Sequence, residues 1–132
     1  MNIPFAERGI SDTFFPESRG VNVIEETIKQ INARIQATGS LTPERRRELL
    51  ELLATLEAEA ANLARTHGEQ AQSIVGFTQV TAHEATRANR DPRLLNLSVK
   101  ALRRSVEDFE NSHPRLAEIV NTISTTLSNS GV

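Results

Sequence analysis

The sequence predicts an all-α protein: an antiparallel helical bundle, or a coiled-coil-like helical hairpin, with an extended N-terminal arm. Three observations lead there. Hydrophobic residues make up 38% of the chain but aromatic ones only 4%, without Trp or Tyr, so the core must be aliphatic. Gly (6) and Pro (5) are scarce, which favours helices over turn-rich sheets. Apolar residues recur at alternating steps of three and four, the stripe of an amphipathic helix, and no period-two alternation marks a strand. A length of 132 residues suits one domain. The expected division is an extended or disordered arm over 1–22 and a helical bundle over 23–132.

The arm is punctuated by Pro4, Gly9, Pro16 and Gly20, and no helical period survives in it. It nonetheless carries Phe5, Phe14 and Phe15, three of the five phenylalanines. Two readings follow. The arm is a strap docked on the helices, or it is a short linear motif for another protein.

The first helix is expected from about Val23 to Ala37, capped by Asn22 with Glu25 at the capping-box position. Ile24, Ile28, Ile31 and Ile35 make one narrow stripe, and Gly39 stands as a C-terminal glycine. Isoleucine at both seam positions favours three- or four-stranded coiled coils. Ile24, Ile28, Ile31 and Ile35 are therefore candidate interaction residues, with Phe5, Phe14 and Phe15.

A second start follows: Thr42 as N-cap, Pro43 at the first helical position, then Glu44. Leu49, Leu53, Leu56, Ala60 and Leu63 form its stripe. The same count continues through His67, Gln70, Ile74, Phe77 and Thr81. Either one helix spans 43–88 or it breaks at Gly68, since a glycine costs a helix interior only about 1 kcal/mol. Ala71, Thr78, Ala82 and Ala85 would permit close helix approach. Asp91 and Pro92 open a third helix, expected over 92–111, with Leu95, Val99, Leu102, Val106 and Phe109 as its stripe and Leu94 widening it. Arg103–Glu107 and Arg104–Asp108 stand at i,i+4. A fourth helix over 114–129 carries Leu116, Val120, Ile123 and Leu127, with Gly131 after its end.

The chain excludes several chemistries. It has no cysteine, hence no disulfide, thiolate metal site or cysteine nucleophile. That fits a reducing compartment. Without a signal-peptide pattern or a membrane-length apolar run, the expectation is a cytoplasmic protein with no membrane contact. Walker, dinucleotide and nucleophile-elbow patterns are absent. In "AHEATR" the zinc-protease pattern fails, because Arg87 stands where a second His is needed.

Glu110-x-x-His113 has the spacing of a carboxylate-bridged metal bundle. A homodimer could supply Glu84, Glu110 and His113 twice over. Pro114 argues against it, since it ends the helix before His113 and so separates the two faces. The structural reading is a helix stop, a Ser112 or His113 cap and a restart at Pro114. Arg87, Arg90, Arg93, Lys100, Arg103 and Arg104 could touch phosphates. However, the net charge is -2, acids interleave and no aromatic platform accompanies them. The "ERRRE" stretch at 44–48 is read as a solvated face.

The C-terminal stretch "SVEDFENSHPRLAEIVNTISTTLSNSGV" resembles the signature of a family of short bacterial helical proteins classed as a domain of unknown function. The matching residues are Phe109, Glu110, Ser112, His113, Pro114, Leu116, Leu127, Ser128, Gly131 and Val132. The leucine-rich "LTPERRRELLELLATLE" resembles the helix that precedes it. The resemblance implies an all-helical fold and brings no catalytic residue or cofactor.

The expected function is a non-enzymatic helical interaction or structural module that needs no cofactor. It would act as a homo-oligomer, dimer or higher, and through a protein partner. The alternatives are a metal-binding bundle through Glu84, Glu110 and His113, and a weak nucleic-acid binder through the arginine-rich face.

Overall fold

Among the described residues, four of the five helices open on a proline, where a missing N–H costs no intrahelical bond. The computed structural model describes residues 16–129, with side chains from Asn22 onward. Its helices are α1 (Pro16–Ala37), α2 (Pro43–Ala64), α3 (Gly68–Thr86), α4 (Pro92–Ser105) and α5 (Pro114–Asn129). A 3-10 turn over Glu107–Phe109 joins α4 to α5. The all-α expectation holds, and there is no strand among the described residues.

Helix α1 starts at Pro16, earlier than Asn22, so the expected arm over 1–22 gives up its last residues to the helix. The physical reason is the same proline signal that opens α2, α4 and α5. Gly20 inside α1 costs only about 1 kcal/mol and does not stop it. Phe5, Phe14 and Phe15 lie outside the described residues.

Helix starts behave as their sequences dictate. Thr42 Oγ1 accepts the Arg45 N–H at 3.1 Å. The Asp91 carboxylate accepts those of Arg93 and Leu94 at 2.9 and 3.4 Å. Gly39 does not end α1 through a left-handed turn, since no described glycine has positive φ. Arg46 does that work instead. Its guanidinium donates to the carbonyls of Ile35 (2.6 Å), Gln36 (3.4 Å), Thr38 (2.9 Å) and Leu41 (3.2 Å), closing the α1 C-terminus. One arginine of "ERRRE" is thus a clamp rather than part of a solvated face.

The chain breaks between α2 and α3. The His67 N–H bonds to the Leu63 carbonyl at 2.8 Å, while His67 itself has φ -135 and ψ 66, outside the helical region. Turning back lets Ala71, Ile74, Val75, Thr78, Thr81, Ala82 and Ala85 bury within the bundle. Burying one large aliphatic side chain is worth about 1.5–3 kcal/mol, whereas each helical hydrogen bond forgone costs about 1 kcal/mol. Tertiary burial therefore overrides the continuous register.

Packing partners define two layers. Helix α3 packs on all four others, α1 touches α2 and α3, α4 touches α3 and α5, and α2 touches α5. Helices α1, α3 and α4 thus form one layer, with α3 central, over a second layer of α2 and α5. One aliphatic core lies between them. It includes Leu49, Leu53, Leu56 and Leu63 of α2, Leu102 of α4, and Leu116, Val120 and Ile123 of α5, each at most 1% exposed.

Candidate functional site

Ile24, Ile28, Ile31 and Ile35, expected to face a partner, are at most 2% exposed. They fill the contact of α1 with α2 and α3 inside a single chain. That corrects their assignment as interaction residues. The stripe is narrow because one chain already covers it, so nothing of it remains for a second copy.

The uncovered apolar surface lies elsewhere. Among the described residues five large hydrophobic side chains are exposed: Val23 (41%), Phe77 (38%), Val80 (48%), Leu94 (42%) and Leu97 (62%). All five belong to the three-helix layer and none to α2 or α5. Hydrogen bonds fix how they sit. Gln79 Nε2 donates to Gln30 Oε1 at 2.6 Å and Arg34 to Thr86 Oγ1 at 3.3 Å, marking the side of α3 that meets α1. At 3.6 residues per turn, Phe77 falls on the opposite flank, toward α4, and Val80 points outward between the two. On α4, Arg103 donates to Thr125 of α5 at 3.0 Å. Leu94 and Leu97 stand on the other flank, toward α3. The α3–α4 link is short, so these helices run antiparallel and Leu97 lies near the level of Val80. Phe77 and Val80 of α3 and Leu94 and Leu97 of α4 are thus exposed apolar side chains on two helices that pack together. Exposed clusters of this kind mark interaction surfaces more often than single exposed residues do.

Gly76 lies in the middle of the 19-residue α3. A Cβ placed there would meet nothing within 4 Å, and its φ is not positive. Among the described residues, neither the helix nor the packing calls for a glycine there. The sequence signal for these exposed residues was present in part. Leu94 and Leu97 stand at i,i+3 beside the Leu95–Leu102 stripe, and Phe77 was assigned to a seam that the helix break abolishes.

The residues of the metal reading are separated. Glu84 is in the last turns of α3, where it pairs with Arg87 at 2.7 Å. That carboxylate raises the Arg87 pKa above its ordinary value, by hydrogen bonding first and by charge second. Glu110 and His113 lie at the far end of α4, in the junction to α5, and Glu110 is exposed. Among the described residues of one chain, no three His, Asp or Glu side chains gather as metal ligands would.

His113 belongs to a junction cluster. The His67 and His113 rings stand edge-on to Phe109, with centroids 5.4 and 5.8 Å away. Each ring Nδ1 shares a hydrogen bond with the preceding hydroxyl, Thr66 Oγ1 at 2.8 Å and Ser112 Oγ at 3.1 Å. Ser112 therefore orients the His113 ring rather than capping α5, and the His113 carbonyl accepts the first helical bond, from Ala117. His67 is exposed at this junction rather than inside a seam, as is Gln70. The "NSHP" stretch joins two helices and closes the end of the core over Phe109.

The arginine-rich run is dispersed too. Arg87 and Arg103 are engaged as described, and Arg104 reaches Glu107 at 3.7 Å. The expected i,i+4 pairs with Glu107 and Asp108 do not form. Helix α4 ends at Ser105 and the 3-10 turn brings i+3 to the same side. Arg93 and Lys100 remain exposed. A groove of about 600 Å³ separates α1 from α3, floored by Ile31 and Ala82 and edged by Gln30, Arg34, Gln79 and Thr86.

No family model, curated protein or solved structure matches the chain. Among the described residues, no helix is long and apolar enough to cross a membrane.

Proposed function

We propose that the protein is a non-enzymatic helical interaction module that docks a partner on the outer face of its α1–α3–α4 layer, with a second copy of itself as the first partner. One observation carries this: Phe77 and Val80 of α3 and Leu94 and Leu97 of the neighbouring α4 are exposed while the isoleucine stripe is buried. Association would bury these side chains, and each would contribute through the area it loses to water. Lys100 and Arg104, exposed along α4 beyond Leu97, would form the polar rim that such interfaces carry. The reading gives the protein no cofactor and places it in the cytoplasm, as its lack of cysteine supports.

The test is sedimentation velocity over a wide concentration range, on the native chain, on Leu97→Glu and on Ala54→Glu of the exposed α2 face. The native chain and Ala54→Glu associate at high concentration, and Leu97→Glu stays monomeric. Association unaffected by Leu97→Glu, or a native chain that is monomeric throughout, would refute self-association through this face.

A further inference from the structure

Helix α4 gathers positive charge on the side that carries exposed leucine. Its sequence, "PRLLNLSVKALRRS", holds Arg93, Lys100, Arg103 and Arg104 and no acid, in a chain whose net charge is -2. At 3.6 residues per turn, Arg93, Leu97, Lys100 and Arg104 fall within about 60° of one another. Leu95, Val99 and Leu102 lie on the opposite side and are buried. The first four are therefore the outermost row of the helix, and all are exposed. The row runs about 16 Å from Arg93 to Arg104.

Among the described residues, nothing answers this charge. Neither Arg93 nor Lys100 has an ion pair or a side-chain hydrogen bond. Arg104 reaches Glu107 only at 3.7 Å, with both side chains mostly exposed, a pair that contributes little. Asp91 is engaged as the α4 cap and Glu84 with Arg87. Cations in the last turn complement the helix dipole, which accounts for Arg103 and Arg104. The dipole disfavours Arg93, which stands in the first turn, and is indifferent to Lys100 in the middle.

The order along the row is cation, leucine, cation, cation. Its complement is an apolar side chain flanked by carboxylates at helical spacing, the pattern of an acidic amphipathic helix. Phosphate surfaces match it less well. A nucleic-acid backbone gives Leu97 no apolar contact, and no aromatic platform accompanies the cations. A lipid surface needs a broad apolar face, whereas the apolar side of α4 is turned into the core. A second copy docking α4 on α4 brings the same cations to the same place.

We infer that the outward face of α4 is built to take an acidic amphipathic helix of another protein, which competes there with a second copy. This rests on the reading of the α1–α3–α4 layer as the docking face and names its partner. The partner's apolar residues cover Leu94 and Leu97, and its carboxylates pair with Arg93, Lys100 and Arg104. Such binding weakens as salt is raised, whereas contact between two α4 helices strengthens, because salt screens their like charges.

The probe is a fluorescein-labelled synthetic helical peptide with one leucine row flanked by glutamates. Its comparison peptides carry Gln or Lys in place of every Glu. Anisotropy is followed at protein concentrations where the chain is monomeric, at low and high salt. At low salt the native chain binds the glutamate peptide about tenfold more tightly than the glutamine peptide, and high salt removes the difference. Arg93→Glu/Lys100→Glu loses that preference and binds the lysine peptide instead. Arg47→Glu/Arg65→Glu, the same change in net charge at exposed positions of α2 and just beyond its end, keeps the preference. Leu97→Glu weakens all three peptides.

Equal binding of the glutamate and glutamine peptides would overturn the inference, as would equal loss in the Arg47/Arg65 variant. Tighter binding to a duplex oligonucleotide, or to vesicles of phosphatidylcholine and phosphatidylserine in equal parts, would also overturn it. Self-association lost in Leu97→Glu without a glutamate preference would keep the docking face and remove the acidic partner. A glutamate preference in a chain that never self-associates would support the acidic partner and remove the second copy.

Discussion

Ile28→Ala tests whether the isoleucine stripe is a single-chain core. Ile28 is 1% exposed between α1 and its neighbours. The change removes three methylene-sized groups, worth about 0.8 kcal/mol each and so about 2.4 kcal/mol in transfer alone. A residual cavity of roughly 50–80 Å³ adds about 1–2 kcal/mol. The expected loss is about 3.5–4.5 kcal/mol, a large share of a small domain's stability. Without Trp or Tyr the assay is equilibrium denaturation followed by far-ultraviolet circular dichroism, run at two protein concentrations. Leu97→Ala, at a 62% exposed site, is the internal control and shifts stability by no more than about 0.5 kcal/mol. A loss below about 1 kcal/mol would refute the packing account. In Leu97→Glu, a midpoint that still rises with protein concentration would put the isoleucines in a seam between chains instead.

Other changes probe the joints. Arg46→Lys loses the fork that reaches four carbonyls and destabilises by about 1–3 kcal/mol; a neutral result would show that the α1 C-terminus needs no clamp. Asp91→Ala removes the side-chain acceptor of two N–H groups and costs about 1–2 kcal/mol by chemical denaturation. Ser124 is fully buried with an unpaired hydroxyl, so Ser124→Ala is neutral or stabilising by up to about 1 kcal/mol. His113→Ala loses the edge-on contact with Phe109 and destabilises by about 0.5–1.5 kcal/mol, leaving any metal content of the purified protein unchanged.

Much of the fold was legible because its signals are local. Thr42–Pro43 and Asp91–Pro92 are capping signals that act within one turn, and α5 spans the residues its stripe marks. The start of α1 was missed because Gly20 weighed against a proline signal that the other helices also use. The α2–α3 break was not decidable locally. Gly68 is nearly neutral in either outcome, and the choice rests on burial of Ile74 and Val75 against helices distant in sequence. The candidate site was misplaced for the same reason. A stripe such as Ile24–Ile35 looks identical whether its cover is another chain or the same one. Only the packing shows that, among the described residues, Val23, Phe77, Val80, Leu94 and Leu97 are the large apolar side chains left exposed.

The central claim is that contacts between copies use the three-helix layer, and site-specific photo-crosslinking tests it most directly. A benzophenone is attached in turn to Lys100→Cys on α4 and to Ala54→Cys on the exposed face of α2, in an otherwise cysteine-free chain. At high concentration, position 100 gives a covalent dimer and position 54 does not. A dimer trapped from position 54 and not from position 100 would contradict the account.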